Sequence, residues 1–218
     1  MHLTSNSRLL IFSRYPVAGE AKTRLIPALG SEGAAQLHRR MTEYIVNIAR
    51  STHTSNSEND YGITVHYTGA QLKDFRAWLG SEIQYKVQPS GDLGQRMQDA
   101  FKAVFNNGAG HAIGIGTDAP GLSSAVLHQA FENLSNHDVV LGPAADGGYY
   151  LIGMNSFHPE LFVGIDWGTE QVYEQTQKIC TRFGLRVAEL LMLNDVDRPE
   201  DLRTLRDDPR FCDIIGKR

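Results

Sequence analysis

Arg14, Lys22 and Arg24 crowd one short segment, Arg14-Tyr15-Pro16-Val17-Ala18-Gly19-Glu20-Ala21-Lys22-Thr23-Arg24-Leu25. Three cations so close together suit phosphate groups. Each close contact supplies about 4 kcal/mol of gross Coulomb attraction at an effective dielectric near 20. A solvated surface loop is the other reading of the same charges. Four further stretches carry side chains of chemical interest. Gly116-Thr117-Asp118-Ala119-Pro120-Gly121 offers a carboxylate for a hard divalent cation, Mg²⁺ or Mn²⁺, although Asp before a Pro-Gly turn also serves as a plain turn cap. Asp195 and Asp197, alternate residues of Asn194-Asp195-Val196-Asp197-Arg198-Pro199, point to one face of an extended chain. They repel unless a cation joins them, which favours metal binding, while capping of a helix begun at Pro199 is the rival role for Asp197. Asp146-Gly147-Gly148-Tyr149 allows a close backbone approach to a ligand and equally forms a hairpin turn. Gln88-Pro89-Ser90-Gly91-Asp92-Leu93-Gly94-Gln95-Arg96 offers Gly91 and Arg96 to a nucleotide, or only links a strand to a helix.

These stretches need a scaffold that brings them to one edge. Apolar runs at Leu9–Phe12, Ile63–Tyr67, Ile83–Val87, Ala112–Ile115, Val139–Leu141, Tyr149–Met154 and Leu185–Leu190 read as strands. Helical periodicity falls at Ser31–Arg50, Gln71–Leu79, Leu93–Phe105, Ser123–Leu134, Thr169–Phe183 and Pro199–Leu205. Alternation of the two implies an α/β fold, a mainly parallel sheet with helices on both faces. The cationic loop follows the first strand, and ligands of open α/β sheets lie outside the carboxyl ends of the strands. In the third helix, Leu93, Met97, Ala100, Phe101, Val104 and Phe105 share one face, with Asp92 and Gln95 as a capping box. Ser123 and Thr169 are further N-cap candidates. Ser51–Asp60 is polar and aperiodic and reads as a mobile surface loop.

The totals narrow the classes. A chain of 218 residues, 41% hydrophobic and 21% charged, fits one soluble domain over 1–218. A net charge of −4 and a pI near 6.0 argue against a general nucleic-acid binder. The cations of the loop therefore suit a small anionic ligand. Cys180 and Cys212 are too few for a disulfide framework. Polar residues at Met1–Ser7 and the lack of any long apolar run lead to the expectation of a cytoplasmic protein with no membrane span.

Several motifs fail. Gly19-Glu20-Ala21-Lys22-Thr23 resembles the end of a P-loop, but Pro16 and Ala21 occupy positions that need glycine. Gly114-Ile115-Gly116-Thr117-Asp118-Ala119 has dinucleotide-fingerprint spacing, yet sets Asp118 where pyrophosphate would lie and Pro120 where a helix should run. The histidines lack zinc spacing, no Gly-x-Ser-x-Gly elbow occurs, and each isolated histidine reads as a surface or core residue.

In order, Arg14-x-Pro16-x-x-Gly19-x-x-Lys22-Thr23-Arg24-Leu25, Gly91-Asp92-Leu93-Gly94-x-Arg96-Met97, Gly116-Thr117-Asp118-x-Pro120, Asp146-Gly147-Gly148-Tyr149, Trp167-Gly168-Thr169 and Asp195-Val196-Asp197-x-Pro199-Glu200-Asp201-Leu202 resemble an uncharacterised bacterial family of glycosyltransferase-like proteins. That family lies in the nucleotide-diphospho-sugar transferase superfamily, and the resemblance spans about residues 8–206. It implies a Rossmann-like glycosyltransferase A fold. Lys22-Thr23-Arg24-Leu25, the Asp-Gly-Gly turn and the closing acidic motif are similar to guanylyltransferases acting on phospholactate or phosphoenolpyruvate, and to molybdenum-cofactor nucleotidyltransferases. The glycine-rich loop of the wider group is replaced by Arg-Tyr-Pro-Val-Ala-Gly, which has fewer backbone N–H groups free to wrap a triphosphate.

The resemblance implies a Mg²⁺- or Mn²⁺-dependent transferase that takes an activated nucleotide and a small phosphorylated or hydroxylated acceptor. Lys22, Arg24 and Asp118 are its expected catalytic residues. Arg14, Gly19, Lys22, Thr23, Arg24, Gly91 and Arg96 are expected at the nucleotide and its phosphates. Asp146, Gly147, Gly148 and Tyr149 are expected at the acceptor, and Asp118 with Asp195 or Asp197 at the metal. Nucleotidyl transfer from an NTP leads; glycosyl transfer from an NDP-sugar and a catalytically silent nucleotide-binding domain are the alternatives.

Overall fold

The structure, a computed structural model, describes residues 6–55 and 61–216. Seven strands form one sheet: β1 (Ser7–Arg14), β2 (Tyr61–Thr68), β3 (Gln84–Val87), β4 (His111–Ile115), β5 (Val139–Pro143), β6 (Tyr149–Met154) and β7 (Val187–Glu189), in the order β3-β2-β1-β4-β6-β5-β7. All neighbours are parallel except β6, which runs antiparallel to both β4 and β5. Leu9, Leu10 and Ile11 of β1 are fully buried, as a central strand covered on both faces demands. Burial of each such side chain contributes about 1.5–3 kcal/mol.

Helices α1 (Ile26–Ser55), α2 (Leu72–Leu79) and α4 (Ser124–Asn133) cover one face, and α3 (Leu93–Asn106) and α5 (Val172–Arg182) cover the other. A short α6 (Cys212–Ile215) and 3-10 turns at Thr23–Leu25, Pro159–Phe162 and Pro199–Leu205 are the other helical elements among the described residues. The expected strands all form. The last expected helix is a 3-10 turn, and α1 is broken at Gly30 (φ 70°, ψ 169°), so its long segment starts where periodicity begins. In α3, Met97, Ala100, Phe101 and Val104 are buried, but Leu93 is exposed. Asp92 caps that helix by accepting from Gln95 N (2.8 Å), and Ser123 caps α4. Thr169 does not cap α5; it closes the preceding turn by donating to Asp166 O (2.8 Å). Nor is the polar stretch after Arg50 a loop as far as Ser55. α1 runs through it, with the Ser51 and Thr52 hydroxyls donating to Ile48 O and so remaining satisfied within the helix. The rest of that expected loop, 56–60, lies outside the described residues.

A third apolar cluster sits at one end of the sheet. Leu25, Leu37, Met41, Val196, Leu202, Leu205 and Phe211 belong to it. Leu25 ends the cationic segment, and Val196 separates Asp195 from Asp197. Both side chains are fully buried in this cluster, so apolar packing draws the two polar motifs together.

Candidate functional site

The loop after β1 turns tightly. Glu20 N and Ala21 N both donate to Val17 O at 3.0 Å, Gly19 takes φ 83°, and Ala21 is buried. Lys22 adopts a left-handed backbone (φ 48°, ψ 46°), and Leu25 N then donates to Lys22 O (2.8 Å), closing the 3-10 turn. Ala21 and Leu25 thus pin both sides of Lys22-Thr23-Arg24. Across from them, Val196 N donates to Asp118 O (2.9 Å), tying the segment after β4 to the acidic motif. Arg14, Ala21, Lys22, Thr23, Arg24, His38, Asp118 and Asp197 line a cleft of about 330 Å³ at the carboxyl ends of β1 and β4.

Within it Lys22 Nζ lies 2.8 Å from Asp118 Oδ1 and 3.5 Å from Asp197 Oδ1, and Arg24 Nη1 lies 2.5 Å from Asp197 Oδ2. The Lys22 side chain is only 5% exposed, whereas Asp118 is 51% and Asp197 34% exposed. A nearly buried ammonium is therefore held by two carboxylates that open to solvent. Burial alone would raise the Asp118 carboxyl, but the Lys22 charge, then His38, and the Lys22 hydrogen bond outweigh it and hold it below the usual carboxylate range. The capping role open to Asp197 falls to another residue. Asp201 Oδ2 accepts from Asp197 N (3.0 Å) and Arg198 N (2.7 Å), which leaves the Asp197 carboxylate for Lys22 and Arg24.

Arg14, Lys22, Thr23, Arg24, Asp118 and Asp197 thus share one cleft. Asp195 stands beside the cleft. Burial first, then the nearby Asp146 carboxylate, pushes its carboxyl up to about 6. Asp146 itself accepts from Gly148 N (2.8 Å), and the stretch it opens forms the β5–β6 hairpin. Gly147 has φ 87°, and a Cβ there would come within 2.1 Å of Glu170 O, so the turn is clamped against the segment before α5. The Tyr149 hydroxyl is buried with no partner among the described residues, its ring edge-on to Trp167 at 6.3 Å, and burial raises its phenol far above the ordinary range. Its side chain packs in the core between the sheet and α3 and α5. Gly91 (φ 122°) and Arg96 belong to the turn into α3 and its first part, outside the lining of the cleft.

His38 also lines the cleft, although an isolated histidine in the sequence reads as an ordinary surface or core residue. It is 6% exposed, and its Nε2 donates to Arg14 O (2.9 Å), fixing the point where β1 releases the cationic loop. That bond leaves Nδ1 without a partner among the described residues. Burial lowers its pKa, against an opposing pull from Asp118. The available signal was positional: His38 and Thr42, four residues apart, interrupt the apolar stripe Leu37, Met41 and Ile45 of α1.

Among the described residues no three His, Cys, Asp or Glu side chains are grouped to hold a metal ion unaided. Mg²⁺ commonly takes one or two carboxylates and completes its shell with water and substrate phosphates. The half-exposed Asp118 and the mutually repelling Asp195 and Asp146 offer hard oxygen donors of that kind, so the residues present fit such an ion.

The sheet and the strand-end cleft place the chain among α/β folds of the nucleotidyltransferase and glycosyltransferase A type. A protein from Desulfovibrio desulfuricans G20, provisionally named a nucleotide-diphospho-sugar transferase, is 32% identical with a TM-score of 0.86, over 97% of each chain. CMP:2-keto-3-deoxy-manno-octonic acid synthetase, solved with CTP, superposes with a TM-score of 0.57 at 12% identity, over 93% of this chain and 97% of the other. Rv0371c from Mycobacterium tuberculosis H37Rv, solved with manganese, gives 0.53 at 15% identity, over 93% and 98%. The last two likenesses show the fold alone. No curated protein matches the sequence. Residues 52–169 match the family model described as uncharacterized protein conserved in bacteria, DUF2064, and the chain belongs to that family. Among the described residues no helix is long and apolar enough to cross a membrane.

Proposed function

We propose that this protein is a divalent-metal-dependent nucleotidyltransferase that joins a nucleoside monophosphate unit from an NTP to a small phosphorylated or hydroxylated acceptor. One observation carries the reading: Lys22, nearly buried, is held between Asp118 and Asp197 with Arg24 alongside, at the carboxyl ends of β1 and β4. The acceptor oxygen attacks the α-phosphorus, the bond to the β-phosphate oxygen breaks, and pyrophosphate leaves. Lys22 and Arg24 turn from their aspartates to the departing phosphates and stabilise the charge that builds there. Asp118, with Asp195, would hold Mg²⁺ or Mn²⁺. When bound, that ion supplies Lewis-acid stabilisation of the phosphoryl oxygens and fixes their orientation. His38 fixes the Arg14 carbonyl and with it the entry to the loop. No side-chain nucleophile is needed.

Glycosyl transfer from an NDP-sugar is the second reading. The raised pKa of Asp195, about 6, favours it, because such a carboxylate near an acceptor is tuned to take a proton. The same cations would then stabilise a departing nucleoside diphosphate.

Thermal melts with NTPs and NDP-sugars, each with and without Mn²⁺, followed by assay of the released product, test both readings. A ligand at 100 times its Kd stabilises by about 2.7 kcal/mol. Pyrophosphate release selects the first reading and nucleoside diphosphate release the second; failure of every nucleotide to bind with metal overturns both. Asp118→Asn is expected to abolish metal-dependent nucleotide stabilisation while the apo protein loses about 1 kcal/mol, the ion pair being half exposed. That is about 2–4 °C in Tm for a chain of this size. Outright unfolding would instead assign Asp118 a structural role.

A further inference from the structure

On the α3 side of the sheet, beyond the cleft, Arg96 is a cation without a counter-charge among the described residues. It is half-buried, makes no ion pair among the described residues, and its Nε is buried with no acceptor. The hydrogen bond it does make, from Nη1 to Gln88 Oε1, is long at 3.5 Å. A guanidinium presents five donors, so most of its capacity is unused where solvent is partly excluded. Asp92, one helical turn earlier, is not its partner, because that carboxylate caps α3 at Gln95 N. Lys86 adds to the positive field: it pairs in register with His66, whose own pKa is lowered to about 4 by burial and then by Lys86, so the imidazole stays neutral.

The orientation of Arg96 is built in. Gln88 Nε2 donates to Ser13 O (3.2 Å) and His66 O (2.8 Å), while Gln88 N donates to Tyr67 O (2.8 Å). Two carbonyls on one side force the amide nitrogen towards the sheet and its oxygen towards Arg96. Gln88 therefore bridges the ends of β1 and β2 and aims the guanidinium. Ser13 immediately precedes Arg14 of the cleft, so Arg96 stands next to the phosphate-binding region but apart from Lys22 and Arg24.

We propose that Arg96, aimed by Gln88, binds an oxyanion group, carboxylate or phosphate, carried by the acceptor. Lys22 and Arg24 already serve the phosphates of the donor; a second oxyanion site at the neighbouring strand ends serves a second, acidic substrate. The existence of the site stands on Arg96 and Gln88, and only its assignment to the acceptor rests on the transferase reading.

Trp167 provides a local reporter. Its indole lies against Gly94, where a Cβ would come within 2.1 Å of Nε1, two residues before Arg96. The chain has two tryptophans, so Trp78→Phe leaves Trp167 as the single emitter. In that background, titration with inorganic phosphate and with glycolate is expected to give a saturable change in fluorescence for at least one of them. Response to phosphate marks a phosphorylated acceptor and response to glycolate a carboxylated one. Arg96→Gln is expected to weaken that binding at least tenfold and Arg24→Gln less than twofold. Arg96→Lys, which keeps the charge but loses the planar fork, is expected to fall between, and it carries the test if Arg96→Gln does not fold. Gln88→Ala, with Arg96 retained, is expected to weaken the anion several-fold at an unchanged Trp167 spectrum of the free protein. No saturable response to either anion, or loss of binding in Arg24→Gln with retention in Arg96→Gln, overturns the proposal. Anion binding through Arg96 in a protein that no metal–nucleotide pair stabilises would uphold the site and remove the donor reading alone.

Discussion

Lys22 is the non-glycine residue with positive φ among the described residues, at 48°. A left-handed conformation costs an L-residue about 1–2 kcal/mol, and it is held here by Ala21 and Leu25 on either side. The strain aims the ammonium between Asp118 and Asp197. Lys22→Gly and Lys22→Ala both delete the charge, but only glycine accepts this backbone freely. Lys22→Gly is expected to be the more stable variant by about 1 kcal/mol in urea unfolding, with both equally defective in nucleotide binding. Equal stabilities would show that the left-handed turn is not strained. Asp195 gives a second prediction. Its folded carboxyl, at about 6, holds a proton more tightly than the unfolded one, near 3.9. Stability from this group is therefore full below pH 4 and is lost as pH rises through 6. Asp195→Asn removes that loss and is expected to raise stability by about 1 kcal/mol at pH 8, after discounting for partial exposure, and by almost nothing at pH 4.

Between elements, the β5–β6 hairpin joins the sheet to the segment before α5. Tyr173 N donates to Gly147 O (2.9 Å), and Glu170 O leaves no room for a side chain at Gly147. Gly147→Ala must displace that carbonyl at a φ of 87° and is expected to cost about 2 kcal/mol or more, read as a lower midpoint in urea unfolding. Strands and helices were largely legible because apolar runs and helical periodicity recur where burial on two faces demands them. The direction of β6 was not, since an apolar run has no polarity, and only Asp146-Gly147-Gly148 hinted at a hairpin. The left-handed Lys22 escaped notice because no glycine marked it. His38 did so because a histidine on an apolar stripe usually belongs to the core. The meeting of Lys22 with Asp118 and Asp197 was expected only in part. The residues were singled out, but their pairing depends on Leu25 and Val196 converging in the third apolar cluster, a contact across most of the chain that no local pattern encodes.

Over the whole molecule, the heart of the cleft is a balanced set of charges, with Arg14 on its lining as one further cation. Lys22 and Arg24 are balanced by Asp118 and Asp197. Taking Asp118 for a metal leaves an almost buried ammonium short of a partner, and taking Lys22 for a phosphate leaves aspartates short of a cation. Both deficits vanish when metal and nucleotide arrive together. Calorimetric titrations are therefore expected to show Mn²⁺ tightening nucleotide binding at least tenfold and nucleotide tightening Mn²⁺ by the same factor, a coupling of about 1.4 kcal/mol or more. Independent binding would contradict this. The antiparallel strand has a consequence during synthesis as well. β3, β2, β1 and β4 are all made by Ile115, but the free edge of β4 must wait for β6, which ends at Met154. Until that hairpin emerges, the nascent chain carries an open strand edge flanked by apolar side chains, the kind of edge that recruits wrong partners. The turn itself is closed by bonds within five residues, Gly147 N donating to Ala144 O (3.1 Å) and Gly148 N to Asp146 Oδ1 (2.8 Å), so β5 and β6 can pair as soon as Met154 is made and the half-made sheet is short-lived.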